Sequence, residues 1–172
     1  MWPLVPLYGI EAGACECGSP NCRASGKHPR LRRWQHRAVT DPGLYRRWNY
    51  ARPAMNWGLL LQPGGFCDVE FDSEAGRATA GLLLGGFLTP TYASSRAVHR
   101  IFSLPASASP SLAVTRWRGL EIRTGTHTRA AQSVVPPSRH ASGCSYLWEP
   151  YLGPQEVAVA PLPPDLLAAI LG

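Results

Sequence analysis

The sequence predicts one mixed α/β domain, and three observations carry that prediction. Phe66-Cys67-Asp68-Val69-Glu70-Phe71-Asp72 alternates with period two, putting Cys67, Val69 and Phe71 on one face and Asp68, Glu70 and Asp72 on the other, the pattern of a half-buried strand. A helix signal follows at once: Ser73-Glu74-Ala75-Gly76 opens a helix from Ala75 to about Leu84, stopped by Gly85-Gly86. The chain has 172 residues, 45% of them hydrophobic, enough for one core, and its 17 Gly and 17 Pro supply turns between many short elements.

In chain order, residues 1–10 read as a strand with Pro3 and Pro6 at its edges. Cys15-x-Cys17-x4-Cys22-x5-His28 then offers three thiolates and an imidazole, the ligand set of a closed tetrahedral zinc site, within a loop (13–29) rich in turn residues. The alternative is a reduced, metal-free loop in which His28 acts elsewhere. Thr40-Asp41-Pro42 caps a helix running to about Tyr50, with Leu44, Tyr45 and Trp48 on its core face. Leu59-Leu60-Leu61 leads through Pro63-Gly64-Gly65 into the acidic strand. Three carboxylates on successive same-face positions repel, and a hard divalent cation relieves that repulsion; the spacing alone leaves such a site and a solvated acidic strand end equally open.

Thr89 to Tyr92 reads as a turn, and the later part of Ser94 to Phe102 as a strand with Val98, Arg100 and Phe102 on one face and Ala97, His99 and Ile101 on the other. By itself His99 reads as a core histidine. Residues 103–112 form a loop. Trp117 to Arg123 reads as one strand whose Glu121 pairs with Arg118 or Arg123 or helps to bind a metal. Gln132 to Val135 is a short strand ended by Pro136-Pro137-Ser138. Residues 156–172 read as a Pro-rich linker with one short helix, leading towards a further domain.

The net charge is +6, and Lys27 is the only lysine among 17 basic residues. Arginine grips phosphate with two parallel bonds and stacks on bases, which suits a polyanionic partner; a coding bias towards arginine gives the same count. Residues 23–52 concentrate this charge and interleave Trp34, Tyr45, Trp48 and Tyr50. Five cysteines, three of them crowded, argue against a disulfide framework. The N-terminus lacks the basic region of a signal peptide, and no run is long enough to span a membrane, so a soluble, cytoplasmic protein with no membrane partner is expected.

Across residues 3–150, in order, these motifs resemble the N-terminal domain of bifunctional DNA primase/polymerases, the prim-pol branch of the archaeo-eukaryotic primase superfamily, found in plasmid, phage and prophage replication proteins. The residues that carry the likeness are the cysteine knuckle with Gly26-Lys27-His28-Pro29 and Trp34; Thr40-Asp41, Trp48, Pro53 and Asn56-Trp57-Gly58; Glu70-Phe71-Asp72 with Gly76; Ser95 to Phe102; Gly119 to Arg123; and Gln132 to His140 with Gly143 and Tyr146-Leu147-Trp148. In this sequence Glu70 and Glu121 stand where the family more often has aspartate.

The resemblance implies a two-layer α/β (α+β) fold of RRM-like character with a zinc-knuckle module, the catalytic domain spanning 1–155. It implies nucleotidyl transfer from a deoxy- or ribonucleoside triphosphate onto a primer 3′-hydroxyl or an initiating nucleotide on a single-stranded DNA template, with a helicase domain or protein as a possible further partner. Glu70, Asp72 and Glu121 are the expected catalytic residues and ligands of Mg2+ or Mn2+, with Asp68 as an alternative ligand. Cys15, Cys17, Cys22 and His28 are the expected ligands of Zn2+. His99 and Arg100 are expected to meet the triphosphate. Lys27 and the arginines at 30–37 are expected to follow the template or the triphosphate. Ser138 and His140 either orient the nucleotide or belong to a structural turn. Two other readings use the same residues: a metal-dependent nuclease, and a zinc-containing DNA-binding module with weak or no catalysis.

Overall fold

The computed structural model describes residues 2–172 as an α+β arrangement of eleven strands and three α-helices. In order these are β1 Leu4–Leu7, β2 Ile10–Glu11, β3 Ala14–Cys15, α1 Pro42–Ala51, β4 Asn56–Gln62, β5 Phe66–Phe71, α2 Glu74–Leu84, β6 Thr91–Ala93, β7 Val98–Ser103, β8 Val114–Trp117, β9 Leu120–Arg123, β10 Ala131–Val135, β11 Leu147–Trp148 and α3 Pro164–Leu171. The pairings between these strands are antiparallel. They make a three-stranded sheet, β1-β4-β10, a six-stranded sheet, β11-β6-β7-β5-β9-β8, and the small β2-β3 hairpin.

The apolar run becomes β4, the middle strand of the smaller sheet, with Leu59, Leu60 and Leu61 all buried. The turn at Pro63-Gly64-Gly65 carries the chain into β5 at the heart of the larger sheet, so the two halves of one sequence stretch join two sheets. The alternation of β5 then sorts its side chains. Val69, Phe102 and Ile122 share a core with Ala80 and Leu84 of α2 and with Leu166 and Ile170 of α3. Tyr92 and Ile101, from the opposite face, share a second core with Val5, Leu7, Leu59 and Leu61, against which α1 packs Leu44, Tyr45 and Trp48. The expected two layers are thus corrected: a second sheet and α1 cover the face turned away from α2 and α3. Both predicted helix starts are capped, Asp41 accepting from Leu44 N at 2.5 Å and Ser73 from Gly76 N at 3.1 Å.

Three other expectations change. Trp117 to Arg123 is a hairpin, because Arg118 and Gly119 both take positive φ (50° and 82°) and reverse the chain in two residues. Its tip lies against the first turn of α2: a Cβ on Gly119 would stand 2.9 Å from Gly76 N, and one on Gly76 would stand 2.5 Å from Gly119 O. Thr91 and Tyr92 belong to β6, Pro90 marking the start of a strand instead of a turn. Residues 156–172 are packed onto the domain: Ser103 N donates to Ala160 O and Leu162 N to Ser103 O, both near 3 Å, and Leu162, Leu166 and Ile170 are buried. Among the described residues no helix is long and apolar enough to cross a membrane.

Candidate functional site

The register of the larger sheet aligns Tyr92, His99, Glu70 and Glu121 as directly opposed neighbours on β6, β7, β5 and β9. On the same face, one step along β5, Asp68 is fully buried and its Oδ2 lies 3.1 Å from His99 Nδ1. Burial alone would push the Asp68 carboxyl up, but the charge and hydrogen bond of His99 outweigh it and hold Asp68 below the usual carboxylate range. Burial works against a charged imidazole too, and Asp68 outweighs it in turn, so His99 is held above its ordinary value. Each favours the charged form of the other. Tyr92 stacks flat on the imidazole, 4.6 Å between centroids and 2° between planes. His99 is therefore fixed from one side and from its face. Asp68, the alternative metal ligand, is buried in the wall of the cleft with its carboxylate turned to His99.

Glu70 and Glu121 face each other across paired strands, an arrangement that costs free energy unless a positive charge stands between them. Arg123 supplies it, with Nη2 2.5 Å from Glu121 Oε1 and 3.4 Å from Glu70 Oε2. Arg116 adds a 2.9 Å contact to Glu121. Of the two expected partners Glu121 takes Arg123, while Arg118 lies over the Trp117 ring. Asp72 follows β5 and is half exposed, 3.7 Å from Arg96. Glu70, Asp72 and Glu121 line one recess of about 540 Å³. They share it without converging on one point; among the described residues only the cysteine–histidine group gathers three or more ligands. Hard carboxylate oxygens, two of them opposed and held by an arginine cation, are the donor chemistry that suits Mg2+ or Mn2+.

Beside this recess, with Glu70 and Arg96 common to both, is a cleft of about 470 Å³ lined by Asp68, Lys27, His99, Arg123, His140 and Tyr146 among others. Burial pushes the Tyr146 hydroxyl up to about 12, aided by Glu70 and Asp68. Burial lowers His140, and Lys27 and Arg96 lower it further, so it meets the cleft as a neutral imidazole near neutral pH. Ser138 is elsewhere: buried, its Oγ accepts from Trp57 N at 2.9 Å and donates to Trp57 O at 3.2 Å, so the Pro-Pro-Ser run is a structural turn. Arg100 is corrected outright. It projects from the other face of β7 and donates to Leu84 O at 2.7 Å and to Phe87 O, satisfying carbonyls at the end of α2. Of the arginines at 30–37, Arg30 is paired with Glu16 at 2.8 Å over the Tyr8 ring, while Arg32, Arg33 and Arg37 are exposed.

The knuckle forms as a group. The ligand atoms of Cys15, Cys17, Cys22 and His28 all lie within 4.8 Å of one another, and the cysteines are free thiols. Three sulfurs and one nitrogen fit a structural zinc ion. The knuckle is tied to the cleft wall by Asn56, whose amide was not singled out in the sequence as a site residue. Its Nδ2 donates to Gly26 O at 2.8 Å and to Arg139 O at 2.7 Å, and its Oδ1 accepts from Arg139 N at 2.8 Å. Gln132 adds a bond from Nε2 to Lys27 O at 2.8 Å. Arg96 and Tyr146 are further cleft residues, each within a motif of the family likeness but not singled out there as a site residue.

The sheet thus presents opposed carboxylates beside a cleft lined by Lys27, Arg96 and Arg123. The family model for the N-terminal domain of bifunctional DNA primase/polymerases matches residues 1–165, and the chain belongs to that family. Membership implies a domain that binds DNA and nucleotides. Comparison with curated proteins finds no match.

Proposed function

We propose that the domain transfers a nucleotidyl group from a nucleoside triphosphate to a primer 3′-hydroxyl, or to an initiating nucleotide, on a single-stranded DNA template. The observation that carries this reading is that Glu70 lines both the carboxylate recess and the cation-lined cleft, so that acids and phosphate-binding groups share one site. Glu70, Asp72 and Glu121 would hold Mg2+ or Mn2+, which supplies activation of the attacking oxygen and stabilisation of the leaving pyrophosphate. Lys27, Arg96 and His99 bind the triphosphate; His99, kept charged by Asp68, donates from Nε2 to a phosphate oxygen, where charge develops. His140 orients the nucleotide from the facing wall. The Cys15, Cys17, Cys22 and His28 group holds zinc as a structural ion and fixes Lys27 next to it. The strand order β6-β7-β5-β9, with chain order β5-α2-β6-β7-β9, supports the RRM-like reading, since it is the spatial order 2-3-1-4 of a split βαβ sheet; loop 104–113 and β8 stand where the second helix would be.

The test is extension of a primed single-stranded template with labelled triphosphates and Mg2+ or Mn2+, run beside Asp72→Ala. Extension by the native chain and none by the variant is expected. Equal extension by both would overturn the metal assignment, and degradation of the template would point to a nuclease.

A further inference from the structure

We propose that a second cavity, of about 400 Å³, takes one unpaired base of the template as it leaves the cleft. The inference rests on the template-directed reading above and names a subsite for it. The cavity lies between the segment after the knuckle and the β8–β10 side of the molecule, and Arg123 and Gln132 line both it and the cleft. A strand whose templating base lies in the cleft meets this cavity next.

Its chemistry suits a base with its phosphates. Trp34, on a single 3-10 turn, is partly buried against the core and also lines the cavity. Pro29 and the exposed Leu112 add apolar surface. Aromatic surface of this kind stacks any base without reading its identity. Arg129, which lines it, is exposed and makes no ion pair among the described residues. Arg129 stands on an ordered loop, its N–H donating to Thr126 Oγ1 at 3.0 Å and its carbonyl accepting from Thr126 N at 2.8 Å. An aromatic platform with one unpaired arginine, Arg129, beside it is matched to single-stranded nucleic acid.

The experiment measures template affinity by fluorescence anisotropy, without catalysis, for a primed template and for one with an abasic site at the first unpaired position beyond the templating base. The native chain should bind the abasic template about tenfold more weakly. Trp34→Leu, which keeps apolar volume, should bind the intact template about tenfold more weakly and lose nothing further on the abasic one. Arg129→Ala, on the surface, should lower the slope of log affinity against log salt by about one. Native discrimination that survives in Trp34→Leu, together with an unchanged salt slope in Arg129→Ala, would overturn the subsite while leaving Asp72-dependent extension intact. Absence of template binding by the native chain would overturn the template-directed reading itself.

Discussion

Replacing Arg123 by Met keeps most of the stem and removes the cation between Glu70 and Glu121, which makes the metal assignment measurable by stability alone. Arg123 is 31% exposed and each glutamate 24%. A hydrogen bond to a charged group contributes about 1.5–3 kcal/mol, discounted here because a third of the arginine is solvated. The two carboxylates left facing each other add a repulsive share that the largely exposed Arg116 offsets only weakly. The net loss is about 2 kcal/mol, or about 4–8 °C in Tm for a chain of this size. A divalent ion held by the same carboxylates replaces the lost charge, and at 100 times its Kd contributes about 2.7 kcal/mol. Thermal melts of Arg123→Met with and without Mn2+ should therefore show a depressed Tm that the ion restores, with a larger ion-induced rise than in the native chain. Adding Glu121→Gln should abolish the restoration. A Tm that stays depressed at saturating Mn2+ would refute the assignment of these glutamates to a metal site.

Two further outcomes follow from the ion pair and the knuckle. Because His99 is held above its ordinary value, its contribution is complete below about pH 6.5 and fades as pH rises through the raised value; Asp68, held below, contributes fully above about pH 4 and fades in acid. The pair thus stabilises most between those limits, and Asp68→Asn should flatten the dependence of Tm on pH and make His99 titrate lower by NMR; an unmoved His99 titration would sink the pairing. Cys17→Ser should release zinc, measured by elemental analysis, and loosen residues 13–29 in hydrogen exchange, whereas an unchanged zinc content would refute the knuckle.

What the sequence disclosed was mostly local. The four knuckle ligands lie within one loop, and the Ser73 cap and the β5 alternation need only near neighbours, so spacing was sufficient for each. The partner of Asp68 comes from a strand 31 residues away, and only the β5–β7 register brings the acid nearest the core to a histidine. Arg100 is instructive in the other direction. Its alternation with His99 already placed the two on opposite faces; the family likeness argued for both in one site, and the geometry followed the alternation. Arg118 hid the hairpin because a left-handed arginine carries no sequence mark, unlike the glycine beside it. The Pro-rich tail looked like a linker because proline cannot donate to a sheet, yet extended chain can still lie along β7 through its other amides.

The contact between Gly76 and Gly119 bears on how this domain can change over generations. Each glycine leaves no room for a side chain on the other. A first substitution at either position therefore meets backbone, and no flexible neighbour can yield to it. The two positions cannot drift one at a time, and a paired change would have to move the hairpin away from the helix. That movement would separate Glu121, two residues beyond one glycine, from Asp72, four residues before the other. The spacing of the acids thus depends on two residues that have no side chains.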